Sequence, residues 1–406
     1  MKKILLAVYL FSAAFVVQAG GFQVNTQGQK ALGMGGAFSA YNKDASAAYY
    51  NPAALVMLDS GRYISLGSTM LLPKTTFLST TTGKVTEMES QAFFPSYLYV
   101  AIPLNDKLAA GLSVNSPYGF GTRWNDDWEG RSVNQELNLK TFYVQPTISY
   151  KITENFSAGA GLVYAYSDML VRRQIGEINS DVELTGSASG FGFNAGVYGK
   201  IEDELSFGIT YRSNVKFDLG NGEATFTNVP ATLAGQFPDQ SFKSTLELPS
   251  TLSVGFTNRI NQKFLVAFEF NLTGWSSYDS LNFNFENTAT PDSRAGRRYE
   301  DAMAFRVGAE YFHNDDLTLR AGLFYDETPV RDEYISPDLP DGSRLGLTAG
   351  VSYKLSERFE LDAAYIFEKA AERNAAVNTS NTAIANIPGK YRTLVNGFGL
   401  GLNYKF

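Results

Sequence analysis

Few residues of this chain have the types and spacing that chemistry needs. His313 is the single histidine in 406 residues. It follows an alternating apolar segment and precedes "NDDL", a turn, so a Ser-His-Asp arrangement has no base at a useful depth. Cysteine is absent, which removes thiolate metal sites, cysteine nucleophiles and a disulfide framework together. One histidine and no cysteine also rule out a histidine-cluster metal centre, and no cofactor is expected. The glycine-rich stretches "GMGGAF" and "GLGLNYKF" lack the Lys-Ser/Thr that completes a phosphate loop. What remains is a set of charges inside alternating segments: Arg212, Lys216, Arg306 and Arg320 beside Glu269, Glu310, Glu360 and Asp362. The arginines could grip a carboxylate-bearing ligand, with Arg212, Arg306 and Arg320 the candidates, or they could pair with the acids as structural ladders.

Those charges need elements to carry them. Six polar clusters recur, each followed by an aromatic or leucine and an alternating segment: "NDKLAAGLSV", "TENFSAGAGLVY", "EDELSFGITY", "NQKFLVAFEF", "NDDLTLRAGLFY" and "SERFELDAAYIF", beginning at Asn105, Thr153, Glu202, Asn261, Asn314 and Ser356. Each reads as a hairpin turn. Longer Gly-, Asn- and Pro-bearing stretches separate them, roughly 119–137, 172–187, 220–243, 276–298, 328–343 and 370–390. Short turns on one side and long loops on the other describe an outer-membrane β-barrel. Six hairpins, with "RYISLGSTML" before them and "LVNGFGLGLNYKF" at the chain end, predict an all-β fold of fourteen antiparallel transmembrane strands. A soluble sandwich also alternates, but it has no need of one-sided long loops, an export signal and a terminal aromatic together.

Parity fixes the register. In the last strand Phe398, Leu400, Leu402, Tyr404 and Phe406 fall on one face, and Gly397, Gly399, Gly401, Asn403 and Lys405 on the other. Around Arg320, Leu317, Leu319, Ala321, Leu323 and Tyr325 point outward, and Thr318, Gly322, Phe324 and Asp326 inward with the arginine. Turning a basic residue outward at mid-membrane costs about 2–4 kcal/mol, so the charges named above belong to the lumen. Phe156, Phe264 and Phe359 after turns, and Tyr150, Tyr353 and Tyr404 before a turn or the chain end, fit an interfacial aromatic girdle.

The ends carry their own signals. "MKKILLAVYLFSAAFVVQA" reads as a signal peptide, residues 1–19, cut after Ala19. Losing Lys2 and Lys3 takes the formal charge from −7 to −9, with 32 basic against 41 acidic residues; such an acidic chain has no electrostatic reason to bind nucleic acid. Residues 20–60 do not alternate, and "DASAAYYNPAAL" suggests short helical turns. Asn51 can cap a turn whose first residue, Pro52, has no N–H to satisfy. A compact segment of this kind fits a plug, or hatch, inside a barrel formed by residues 61–406.

These residues carry a family resemblance. "GGFQVNTQGQKALGMGGAFSAYNKDASAAYYNPAAL", "NSPYGFGTRWNDDWEGR", "LPSTLSVGF", "TGWSSYDSLNFNFEN" and "YDETPVRDEYISPDLPDGSRLGLTAGVSY" resemble the FadL family of outer-membrane transporters for long-chain fatty acids and other hydrophobic compounds, which includes TodX-type aromatic hydrocarbon channels. The resemblance implies a hatch triplet at Asn51, Pro52 and Ala53, a near-terminal aromatic, Phe22, close to the ligand path, and hatch-gated entry. It also implies lateral release of ligand into outer-membrane lipid at a kink in the third strand, around Asn115, Pro117 and Gly119. By its residues alone Pro117 could equally end that strand. Val229, Leu233 and Phe237 are candidates for an apolar collecting groove, and the terminal Phe406 resembles the signal read by the outer-membrane assembly machinery, a partner during insertion. A general diffusion porin or structural barrel is the alternative, against which the long N-terminal segment stands.

Overall fold

The computed structural model describes residues 20–59, 61–176, 178–375 and 387–406; the expected signal peptide and its cleavage point lie outside them. Among the described residues the main sheet closes on itself through fourteen antiparallel strands, several interrupted: β1 Tyr63–Ser79, β2 Ser96–Asn105, β3 Leu108–Asn115 continued by Gly119–Arg123, β4 Glu136–Thr153, β5 Phe156–Ile175, β6 Ser180–Lys200, β7 Leu205–Arg212 continued by Val215–Thr227, β8 Gln240–Leu248 continued by Thr251–Arg259, β9 Phe264–Thr273, β10 Ala302–Phe312, β11 Leu317–Asp326, β12 Arg344–Lys354, β13 Phe359–Ala370 and β14 Gly389–Lys405. Closure joins β1 to β14 without a break from Tyr63↔Lys405 to Ser79↔Gly389. Closure leaves no free edge strand at the seam, where lipid would penalise unpaired backbone heavily.

The alternation works as read. Leu400, 72 % exposed, Phe398, Leu319, Leu323 and Tyr325 face outward, whereas Arg320, Phe324 and Asp326 are buried. At the short-turn end Phe264 packs on Tyr311 at 4.9 Å and Phe359 on Tyr404 at 4.7 Å, forming one aromatic rim. Lys216 departs from expectation. It is exposed and pairs with Asp218 at 2.9 Å, while Val215, Phe217 and Leu219 take the inner face. The cause is the break at Ser213 and Asn214, where the Ser213 hydroxyl accepts the Phe193 amide at 2.9 Å; one residue drops out of the alternation and the face reverses. Two expected loops are also shorter: β5 and β6 stay paired to Ile175↔Ser180, and β7 runs to Thr227. Small and polar residues do not prevent ladder pairing once a neighbouring strand supplies partners.

The N-terminal segment lies inside the cylinder. It holds two short helices, α1 Gln29–Gly33 and α2 Ala47–Tyr50, then a 3₁₀ turn at Pro52–Met57. Gly35 and Gly36 between them have φ of 65° and 82°, a region open to glycine without strain. This hatch bonds to walls on every side. Gln29 Nε2 donates to Thr69 Oγ1 at 3.1 Å on β1; the Thr348 hydroxyl of β12 donates to the Gly33 carbonyl at 3.2 Å. The Phe38 and Ser39 amides donate to one oxygen of Glu269 on β9 at 2.8 and 2.7 Å, and the Ser149 and Ser157 hydroxyls of β4 and β5 both donate to the Ala53 carbonyl, at 2.9 and 2.7 Å. Hatch backbone groups that water would otherwise satisfy are thus met by inward polar side chains.

Candidate functional site

The site is built where the hatch meets the third strand. β3 pairs with β4 up to Asn115↔Tyr143 and again from Gly119↔Lys140, so Ser116, Pro117 and Tyr118 stand opposite only Phe142 and Thr141. That surplus residue is a bulge, and Pro117 supplies no N–H to the ladder. The bulge turns inward and takes the hatch as its partner: the Val24 amide donates to the Pro117 carbonyl at 2.8 Å, the Gly119 amide to the Phe22 carbonyl at 3.1 Å, and the Gln27 side chain to the Ser116 carbonyl at 2.8 Å. Of the two readings of Pro117, the geometry is a kink within a continuing strand.

On its other side β3 loses its neighbour. Pairing of β2 with β3 stops at Leu98↔Val114, and backbone hydrogen bonding to the chain ahead of β2 resumes where the Glu89 amide donates to the Arg123 carbonyl at 2.8 Å. Between these limits the chain ahead of β2 follows β1 instead, through Leu71↔Phe93. Asn115 sits at the corner of this interval, buried, its side chain beside the Tyr99 hydroxyl.

A cavity of about 470 Å³ occupies this region, inside the range of about 300–1,000 Å³ usual for small-molecule pockets. Its lining runs from Phe22, 5 % exposed, through Met88 and Leu139 to Phe94 and Phe142, which are 61 % and 48 % exposed on the outer face. Phe22 is held edge-on by Trp275, Tyr278 and Tyr118, at 4.7, 5.6 and 6.3 Å. The polar end is made by Asp341, Arg344 and Glu368. Arg344 donates to the Gly21 carbonyl at 2.5 Å and to Asp341 at 2.6 Å, and Asp341 accepts the Gly21 amide at 2.8 Å.

The sequence candidates divide into three places. Phe22 and Gly119 line the cavity, and Asn115 and Pro117 flank it along β3, next to its lining residues Ser116 and Tyr118. Asn51, Pro52 and Ala53 lie apart, against β4 to β6: Asn51 is fully buried, caps the 3₁₀ turn by accepting the Ala53 amide at 3.1 Å, and donates to the Ser39 and Val197 carbonyls at 2.8 and 3.1 Å. The three arginines lie beside the hatch instead of lining the large cavity. Arg306 bonds Asp326 at 2.7 Å, Asn271 at 2.8 Å and the Gly35 carbonyl at 3.1 Å. Arg320 bonds Glu310 at 2.6 Å, and Lys30 bonds Glu360 at 2.6 Å next to it. Arg212 donates to Gln145 at 2.8 Å and to the Tyr49 carbonyl at 2.9 Å; with Arg306 it edges a separate polar cavity of about 60 Å³. Val229, Leu233 and Phe237 are half-buried, and Phe237 packs on Phe226 at 5.6 Å. Arg344 and Phe93 are among the residues of the large cavity that escaped sequence reasoning. Arg344 shares the inward parity of β12 with Thr348 and Ser352, a signal that was there to be read, whereas Phe93 sits in a stretch with no periodicity.

Loops cover the cavity from the long-loop side. Pro340 and Asp341 of the β11–β12 loop line it, and that loop is tied down by Arg297, which grips the Asp338 carboxylate with both terminal nitrogens, and by the Trp124 indole donating to the Pro337 carbonyl at 3.1 Å. Burial alone would raise the Asp338 carboxyl, but the Arg297 guanidinium and the Ser336 hydroxyl outweigh it and hold it below the usual carboxylate range.

Comparison with known proteins agrees with this geometry. The family model for outer membrane protein transport proteins (OMPP1/FadL/TodX) matches residues 10–406. A long-chain fatty acid transport protein of Salmonella typhi is 28 % identical, the match covering 84 % of this chain and 86 % of that one. Outer membrane protein P1 of Haemophilus influenzae is 26 % identical over the whole of both chains. Among solved structures, a Pseudomonas aeruginosa FadL homologue superposes with a TM-score of 0.86 at 22 % identity, covering 95 % of this chain and all of that one. The Ralstonia pickettii toluene transporter TbuX superposes at 0.70 with 17 % identity, covering 97 % of this chain and all of that one.

Proposed function

The chain belongs to the OMPP1/FadL/TodX family of outer-membrane transport proteins, and from that premise we propose that it is a passive transporter of long-chain fatty acids or other hydrophobic small molecules. It is a transport protein and not an enzyme. Ligand enters past the loops, lodges beside Phe22 and leaves sideways through the wall at the third strand, the hatch blocking a straight passage. The observation that carries this reading is one cavity lined by Phe22 within the lumen and by Phe94 and Phe142 on the outside. Energetics favour that exit: each methylene gains about 0.8 kcal/mol out of water, so release into lipid avoids a penalty that release into the periplasm would impose in full.

The test is reconstitution into planar bilayers and proteoliposomes, with oleic acid and toluene offered side by side. Saturable uptake of at least one, with no steady ion conductance, is the expected outcome. An open conductance without saturable uptake identifies a diffusion porin and overturns the proposal.

A further inference from the structure

We propose that Phe93 is the movable leaf of the wall opening, and that it limits the cross-section of the molecules that leave. The inference rests on the lateral exit proposed above and adds its selectivity element. Four observations meet at this residue. It lies within the unpaired interval between Leu98↔Val114 and the Glu89–Arg123 hydrogen bond. Its backbone is fastened to β1 on one side of the interval, the Leu71 amide donating to the Phe93 carbonyl at 2.8 Å and the Phe93 amide to the Leu71 carbonyl at 3.0 Å. Its ring reaches to the opposite side, where a Cβ added to Gly121 of β3 would stand 2.4 Å from Cζ and 2.6 Å from Cε1. It also lines the cavity.

Gly121 is therefore a flat seat for the ring. Any other residue there would push the ring out, because real Cβ atoms do not approach a neighbour so closely. On the Gly121 side the ring meets bare backbone and no side chain of that residue. Rotation about χ1 swings it clear while the hydrogen bonds to Leu71 stay intact, a motion of one rotamer and not of a strand. Because the leaf is apolar it can turn toward lipid or toward cargo without desolvating a polar group. In the observed position it narrows the interval; swung aside, it widens it by about one ring. A flexible chain threading end-on passes such an aperture, and a fused-ring molecule is held back.

Proteoliposome uptake of oleic acid and phenanthrene tests this, with assembled barrels selected by heat-modifiable electrophoretic mobility. Phe93→Ala is expected to raise phenanthrene uptake severalfold relative to oleic acid, and Phe93→Trp to lower it relative to oleic acid. A wild-type ratio of the two ligands in both variants overturns the leaf, and where the alanine variant does not assemble the tryptophan ratio decides alone. The cysteine-free chain allows a separate check on the exit itself. Phe93→Cys with Gly121→Cys, bridged by a short reducible thiol linker, should lose transport and regain it with reductant. Undiminished transport through the bridged protein removes the lateral exit and the leaf with it; loss on bridging with an unaltered ligand ratio removes the leaf alone.

Discussion

The side-chain amide of Asn51 makes three hydrogen bonds, one to its own turn and two that join the hatch to itself and to β6. Losing a cap typically costs about 1 kcal/mol, and here the Ser39 and Val197 carbonyls lose their donor as well. Asn51→Ala should therefore loosen the hatch, seen as faster proteolysis of residues 20–58 in an assembled barrel and reduced ligand uptake. Asn51→Asp keeps the cap acceptor but not the donors, so an intermediate effect separates the two roles; wild-type uptake in both would remove the hatch from the mechanism. Arg320 is a different case. Its partner Glu310 is fully buried, so Arg320→Met should lower barrel stability by about 3–5 kcal/mol, and adding Glu310→Gln should restore much of it, because an uncompensated buried charge is the main cost. Urea denaturation followed by electrophoretic mobility measures both, and unchanged stability of the single variant would leave the arginine free for ligand. Asn51 was legible because capping is local and Pro52 announces it. The pairing of Arg320 depends on strands brought together by register, which a single sequence shows as parity but not as partner.

Strands were the most legible elements, since a lipid face and a wet face impose a period of two that lipid enforces at a high cost per charge. Legibility failed where the chain leaves that rule: at Ser213 and Asn214, where a bulge reverses the faces and turns Lys216 outward, and beyond the membrane, where β5, β6 and β7 continue with no lipid to mark them. The kink at Pro117 was readable as an irregularity but not as a direction; the hatch amides that draw it inward come from residues almost a hundred positions earlier. The β11–β12 loop makes its own prediction. A carboxyl held below its ordinary pKa contributes stability above the unfolded value of about 3.9, and that contribution disappears as pH falls through the folded value. Hydrogen exchange in 330–341, corrected for intrinsic rates, should therefore quicken below about pH 4 in the native protein. In Asp338→Asn it should be quick already at neutral pH, and equal protection in the two proteins would show that the ion pair does not hold the loop.

At the scale of the molecule, the cylinder and its contents depend on each other. The inward serines of β4 and β5, Glu269 on β9 and Glu360 on β13 all find partners in the hatch, so an emptied bore would give these groups water in place of protein partners and leave the carboxylates without their hatch donors. The seam from Tyr63↔Lys405 to Ser79↔Gly389 unites the two strands farthest apart along the chain, and it completes the ring around a segment that precedes both. A tether follows from this topology. The hatch runs directly into β1 at Tyr63, so its docking on the inner wall is an intramolecular step at high effective concentration. Cut from β1 and supplied as a free peptide, the same residues would lose that advantage and occupy the bore far more weakly.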